Sequence, residues 1–335
     1  MEPQMSELKF LVIGLGSMGK RRVRNLLALG YSQIVGIDPR KERCEETRDK
    51  YGVSVASSLE EGLHILRPDI WIISTPPQHH MEYAYLAYHS NTPAFIEASV
   101  TDSQKIRDLY ELCKKKNLVI LPSCTMLFYP GPITVKSLLR QGIIGDILSS
   151  HYHSGQYLPD WHPWETIQDY YVSARETGGC REIVPFELTW LSDLWGIPTV
   201  LSCVRKKLSD MPADIDDFYH AVLLFSKIVC TFTVEVLSRP KSIRELRVLG
   251  TNGILEWSAE QNRVRYCNTE NPEWISYPLY TGTIEAYYIN PEEPYVQELK
   301  LFVEAVQTES FSIFPNSLLK DYGMLQTLLR MEKLS

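Results

Sequence analysis

The stretch LKFLVIGLGSMGKRRVRNLLALG, residues 8–30, decides how the first part of the chain is read. It opens with an apolar run, interrupted at Lys9, that ends in glycine. It then places Val23, Leu26 and Leu27 at helical spacing and stops at Gly30. Between the two lie Gly14, Gly16 and Gly19, a G-x-G-x-x-G string. Alone that string is weak; between a strand and a helix it has a physical meaning. Gly14 permits a tight turn, Gly16 lets backbone approach a diphosphate, and Gly19 lets helix and strand pack closely. The loop Gly14, Leu15, Gly16, Ser17, Met18 and Gly19 therefore reads as a phosphate cradle. The N–H groups near Ser17 and Met18 would point at the anion, with the helix dipole behind them. A glycine-rich turn with no ligand is the bland alternative.

Working outward, QIVGID at 33–38 is a second strand and ends in Asp38, 19 residues beyond Gly19. A carboxylate there can accept both adenosine ribose hydroxyls and repels a 2′-phosphate, which favours NAD. Arg40 and Arg21 keep NADP open, since either could partner a phosphate. Helices are expected at 40–52, 59–66, 80–90 and 103–116, and strands at DIWIIST, AFIEAS and LVILPS. Strands alternating with helices at this pitch indicate βαβ units and a parallel sheet.

The pattern changes near residue 123. A helix over 133–141 is followed by apolar-polar strands: ILSSHYHSGQY, TVLSCVRKKL, FYHAVLLFSK, IVCTFTVEVL, ELRVLG, ILEWSA and RVRYCN. TNG at 251–253 is a tight-turn signal. Such a run suggests a mixed or antiparallel sheet. Helical stretches at 295–307 and about 317–333 close the chain.

The 335 residues are 44% hydrophobic and 22% charged, with a net charge of −7. That suits a globular chain with a proper core and argues against nucleic-acid or anionic-membrane partners. No apolar run approaches the ~18 residues of a membrane helix, and the polar start MEPQMSELK does not read as a signal peptide. Seven cysteines without CxxC spacing read as reduced thiols, hence a cytoplasmic location. His151 and His153 share one strand face, but no third ligand is evident, so no metal is expected.

IGLGSMGKRR, then ID, STPPQHH and FIEAS at successive strand ends, IIGDILS at 143–149 and ETGGCREIVPFELTWLSDLWG at 176–196 resemble the glucose–fructose oxidoreductase/inositol dehydrogenase (Gfo/Idh/MocA) family. The resemblance covers nearly the whole chain. It implies an α/β protein with an N-terminal Rossmann NAD(P)-binding domain, 1–123. A C-terminal α/β substrate and oligomerisation domain, 124–335, would follow, with a large open, mostly antiparallel sheet. The C-terminal helices would pack back towards the first domain. It also implies a homodimer or homotetramer through that sheet. Members mostly oxidise or reduce hydroxyl groups of sugars, inositols and nucleotide sugars. YLPDWHPWE at 157–165 looks like the branch found with surface-sugar biosynthesis. Ser74, Thr75 and Pro76 fall where the family loop meets the nicotinamide ribose, and His79 is a further candidate contact. A plain turn made by two prolines fits the same loop.

The resemblance also exposes two departures. The family usually has Glu-Lys-Pro after the fourth strand, with its lysine near the nicotinamide; here stand Glu97, Ala98 and Ser99. Its substrate domain usually carries Asp-x-x-x-His; here those positions fall on Glu182 and Phe186. Both usual proton-handling groups are absent. Glu97 and Ala98 remain expected cofactor neighbours. REIVPFEL sets Arg181, Glu182 and Glu187 in an apolar segment, where charges need partners. A carboxylate there with a raised pKa can serve as a base. Glu182, Glu187 and His162 are the catalytic candidates, the last because imidazole titrates near neutrality.

Trp161 and Trp164 either stack on a sugar or pack a loop. Arg175 is either a bidentate clamp for a substrate anion or a surface residue, and Arg181 joins it as a substrate candidate. Tyr170 and Tyr171 read as packing residues. The expected function is an NAD(P)-dependent oxidoreductase acting on a hydroxyl or keto group of a sugar, including phospho- and nucleotide-sugars, with a non-standard acid/base. The alternative is an inactive dinucleotide- and sugar-binding sensor or assembly protein.

Overall fold

The computed structural model describes residues 8–162, 166–280 and 282–335. The chain divides into two compact units. The first runs to Ser123 and adds Glu292–Tyr322; the second comprises Cys124–Pro291 and Gly323–Ser335.

The first unit alternates β1 (Phe10–Ile13), α1 (Ser17–Ala28), β2 (Ile34–Ile37), α2 (Lys41–Tyr51), β3 (Ser54–Ala56), α3 (Leu59–Ile65), β4 (Ile70–Ile73), α4 (His80–His89), β5 (Ala94–Ile96), α5 (Ser103–Lys116) and β6 (Ile120–Pro122). The strands form one parallel sheet in the order β3-β2-β1-β4-β5-β6. β1, β2 and β4 are buried along their whole length. That is why they read as continuous apolar runs: a parallel sheet is covered on both faces. β3 is a strand the sequence pattern did not announce. It is a three-residue edge strand with an exposed serine, too short to show a period.

The second unit contains α6 (Pro130–Arg140), β7 (Ile147–Gly155), α7 (Cys180–Trp195), β8 (Thr199–Lys206), β9 (Phe218–Phe225), β10 (Ile228–Glu235), β11 (Ile243–Gly250), β12 (Gly253–Ser258), β13 (Arg263–Asn268) and β14 (Ile275–Pro278). The sheet order is β14-β13-β12-β11-β7-β10-β9-β8, and only β7 and β10 run parallel. Strict burial alternation, as along β9, marks a sheet with one covered face. On that face Tyr152 meets Trp190 of α7 at 5.4 Å and Phe232 at 5.8 Å. On the other, Val204, Val229 and Leu249 are exposed. α7 has no counterpart among the expected elements; Pro185 lies inside it.

The last helices are α8 (Glu293–Gln307) and α9 (Leu318–Leu334). α8 and the start of α9 group with the first unit, and the rest of α9 with the second. A buried charge cluster ties α8 to the first unit. Arg22 of α1 donates to both Glu97 oxygens, at 2.6 and 3.0 Å, and to Glu298 of α8 at 2.8 Å. Ser123 donates to the other Glu298 oxygen at 2.9 Å. Burial opposes the Arg22 charge, but the two carboxylates outweigh it and raise its pKa. Phe95 and Phe302 add an edge contact at 5.3 Å.

Asp321 of α9 is 4% exposed, and its Oδ2 is buried without a hydrogen-bond partner. Burial pushes its pKa from 3.8 up to about 7. Between those values the folded state keeps a proton that the unfolded state has lost. Stability should therefore fall as pH rises across that interval, by up to about 1.4 kcal/mol per pH unit. Urea unfolding of Asp321→Asn at pH 5 and pH 8 should show that slope reduced. Among the described residues no helix is long and apolar enough to cross a membrane.

Candidate active site

Two lattices of contact build the site residues, one in each unit. In the first, Gly14 turns the chain at φ +90°, and a methyl group there would lie 2.6 Å from the Ser74 carbonyl oxygen. A methyl group at Gly19 would lie 1.7 Å from the Gly14 carbonyl oxygen. The Leu15 N–H donates to Asp38 at 2.8 Å and the Arg40 N–H to its other oxygen at 2.9 Å. Asp38 thus clamps the loop while standing at the end of β2. Gly16, Ser17 and Met18 remain half-exposed at the start of α1, where N–H groups have no helical acceptor. Thr75 Oγ1, beside this loop, is buried without a hydrogen-bond partner. The cradle has the backbone geometry and the helix dipole that a diphosphate requires, with an unpartnered hydroxyl beside it, so the residues fit NAD.

Sequence reasoning named Arg40, whose side chain is exposed, and missed Arg43. The Arg43 guanidinium lies 3.6 Å from Asp38, and a methyl group at Gly16 would sit 3.3 Å from it. Its position one turn into α2 was the available signal. Arg21, the other arginine considered for a phosphate, bonds Glu292 at 3.0 Å. With Asp38 removed, Arg43 becomes an attractive partner for a 2′-phosphate. Asp38→Ser should raise the NADP-to-NAD ratio of binding constants at least tenfold, read by fluorescence titration.

At the end of β5 the geometry corrects two expectations. Glu97 is buried, and both its oxygens are taken by Arg22, with Ser74 3.3 Å from one of them. It anchors the strand end instead of offering itself to a cofactor. His79 is exposed and lies 3.4 Å from Glu82. The structured histidine is His80: its Nε2 donates to the Thr75 carbonyl at 2.8 Å, and Nδ1 accepts from Ser99 at 3.3 Å. Burial lowers its pKa to about 4, so it is neutral. Ser74 is buried, Pro76 is exposed, and Ala98 is half-buried.

In the second unit, Gly178 and Gly179 allow a close approach. A methyl group at Gly178 would fall 1.9 Å from the Val172 carbonyl oxygen, and Gly179 takes φ +62°. Thr177 Oγ1 donates to the Tyr171 carbonyl at 2.7 Å. This lays residues 171–173 against the start of α7. The Tyr171 hydroxyl then donates to Glu182 Oε1 at 2.7 Å. Glu182 Oε2 is buried and has no hydrogen-bond partner. Burial raises the Glu182 pKa to about 7, against the lowering effect of Tyr171. Tyr171, read from sequence as packing, is thus also a hydrogen-bond partner of Glu182. His162 stacks on Tyr170 at 4.7 Å, and Tyr170 meets Tyr171 edge-on at 6.1 Å.

Three further candidates are tied down. Glu187 is fully buried and accepts from Tyr152 at 2.5 Å, Ser154 at 2.8 Å and Arg244 at 2.9 Å. It joins α7 to the sheet, with both oxygens hydrogen-bonded within the fold. Arg175 bonds Asp214 at 2.8 Å and Asp216 at 2.7 Å, and Arg181 bonds Glu332 at 2.7 Å. Neither is a free anion clamp. Phe186 is half-buried, and Trp164 lies outside the described residues. No group of three metal-ligating side chains occurs among the described residues.

A parallel sheet of the dinucleotide-binding type with an intact glycine cradle forms one unit, and an open, mostly antiparallel sheet forms the other. Residues 8–123 match the family model of oxidoreductases with an NAD-binding Rossmann fold, and residues 133–256 match the GFO/IDH/MocA C-terminal domain. The chain belongs to the Gfo/Idh/MocA family. It is 30% identical over 146 residues to an uncharacterized oxidoreductase of Streptococcus pneumoniae serotype 4 (strain ATCC BAA-334 / TIGR4). That match covers 43% of this chain and 39% of the relative, so the chain spans about two fifths of the relative it matches. An oxidoreductase from Agrobacterium radiobacter, solved with NAD+, L-tartaric acid and magnesium, superposes with a TM-score of 0.84 at 13% identity, over 98% of this chain and 96% of that one. Levoglucosan dehydrogenase with NADH and levoglucosan superposes with 0.77 at 18% identity, over 97% and 98%. At these identities the likeness is one of fold.

Proposed function

We propose that the chain is an NAD-dependent dehydrogenase that interconverts a secondary hydroxyl and a ketone on a sugar-type substrate, with Glu182 handling the proton. The supporting observation is the free Glu182 oxygen: a half-buried carboxylate, one oxygen held by Tyr171, the other buried and unpartnered, titrating near 7. Bound NAD supplies the hydride acceptor. Glu182 in its ionised form accepts the hydroxyl proton as the carbinol carbon loses hydride, and returns it in the reverse direction. Tyr171 orients the carboxylate by fixing Oε1. This role stands in for the proton-handling groups that Ala98 and Phe186 do not provide.

Relatives in the fold support the substrate class, since one such structure carries levoglucosan. The exposed Val204, Val229 and Leu249 support pairing of the open sheet with a second copy. A second reading, a dinucleotide- and sugar-binding protein without turnover, draws on Ala98 and Phe186. The deciding experiment titrates NAD and NADP into the protein, then follows reduced nicotinamide on a panel of sugars, sugar phosphates and nucleotide sugars. Cofactor binding with turnover on a panel member supports the dehydrogenase. Tight cofactor binding with no turnover anywhere on the panel favours the second reading.

A further inference from the structure

The second unit carries a cleft of about 550 Å³. That volume lies within the range of small-molecule sites and exceeds what one pyranose ring requires. Tyr157, Trp161, Trp257 and Tyr280 give it aromatic walls. Trp161 Nε1 is buried without a hydrogen-bond partner, an unmet donor in a wall of the cleft. Neutral polar groups, among them Gln156 and Asn290, complete the lining.

Its cations are already paired. The lining cations are Lys241 and Arg244. Lys241 bonds Glu260 at 2.6 Å, and Arg244 bonds Glu187 at 2.9 Å. Asp160 adds a further negative charge to the lining. A phosphate or carboxylate entering this cleft would find no uncompensated cation among its lining residues, and would be desolvated at a cost. Aromatic faces with a few fixed polar groups instead suit the apolar faces and hydroxyl edges of a neutral ring.

A run of contacting residues leads from the cleft wall to the proposed base within the same unit. Trp161 precedes His162, which stacks on Tyr170; Tyr170 meets Tyr171, and Tyr171 holds Glu182. We infer that this cleft binds an uncharged, polyhydroxylated ring, the non-reacting sugar of a glycosidically linked substrate. The inference rests on the dehydrogenase reading for its substrate class and narrows it: a linked neutral saccharide is preferred over a free monosaccharide or a nucleotide sugar.

The test is equilibrium binding to the full chain, followed by tryptophan fluorescence and calorimetry. The probes are D-glucose, D-galactose, a panel of neutral disaccharides (cellobiose, maltose, lactose and trehalose) and UDP-glucose. At least one disaccharide should bind ten-fold or more tightly than its component monosaccharides. Trp161→Ala and Tyr280→Ala should each remove that gain; Tyr280 is 74% exposed, so its removal leaves the core intact. The inference is overturned if no disaccharide exceeds its components, or if UDP-glucose binds most tightly and Lys241→Ala weakens it. Disaccharide binding with no reduced nicotinamide formed on any member of the wider sugar panel would sink the dehydrogenase reading and leave the cleft standing. Monosaccharide oxidation with no disaccharide gain would do the reverse.

Discussion

Glu182→Gln should lower the rate of substrate oxidation by about 10²–10⁴-fold, the usual worth of a positioned general base. The replacement keeps the shape of the side chain and an acceptor for the Tyr171 hydroxyl, so the start of α7 should remain packed. What it removes is the titration. In the parent protein the base must be ionised, so oxidation should rise with pH through about 7, where burial has raised the Glu182 pKa. Reduction needs the protonated form and should fall through the same range. Both limbs should vanish in the glutamine variant. Tyr171→Phe gives an independent readout. Its hydroxyl lowers the Glu182 pKa, so losing it should move the oxidation limb to higher pH. A variant that only disturbed packing would lower the rate without moving the limb. Full activity in Glu182→Gln at pH 8 would remove Glu182 from the mechanism.

Gly19→Ala should abolish measurable NAD binding, a loss of at least 100-fold, and lower stability. The added methyl group would lie 1.7 Å from the Gly14 carbonyl oxygen. That neighbour is backbone, so no side chain can rotate away. Either α1 shifts along β1 or the turn at Gly14 opens, and both move the N–H groups that face the diphosphate. Overpacking of this kind costs about 1–3 kcal/mol or more. Fluorescence titration with NADH and thermal unfolding by circular dichroism measure the two effects separately. An affinity within twofold of the parent would show that the cradle does not hold the cofactor. Leu15 and Asp38 should report the same disturbance, because their hydrogen bond of 2.8 Å ties the loop to β2.

Much of the first unit was legible because its determinants are local. Apolar runs of four residues, glycines at turn positions and helical spacing after them are all visible within one short window. β3 escaped because three residues on a sheet edge carry no period. The placement of α8 escaped because Glu298 meets Arg22 across 276 positions of sequence. Arg43 was passed over for Arg40, although only the former has its side chain at the loop.

The two acids of REIVPFEL show the divide most clearly. Both Glu182 and Glu187 stood as candidate bases, five positions apart on one segment. Only folding brings Tyr152, Ser154 and Arg244 onto Glu187 and leaves one Glu182 oxygen unclaimed. Arg175 and Arg181 likewise lost their freedom to acids supplied by other segments.

By itself the sequence determined the dinucleotide cradle and the order of strands and helices around it, since glycine's freedom and hydrophobic period act over a few residues. Tertiary structure alone decided which charges are paired and which carboxylate keeps an oxygen without a partner. A charge takes its pKa and its role from burial and from partners, and both come from distant parts of the chain.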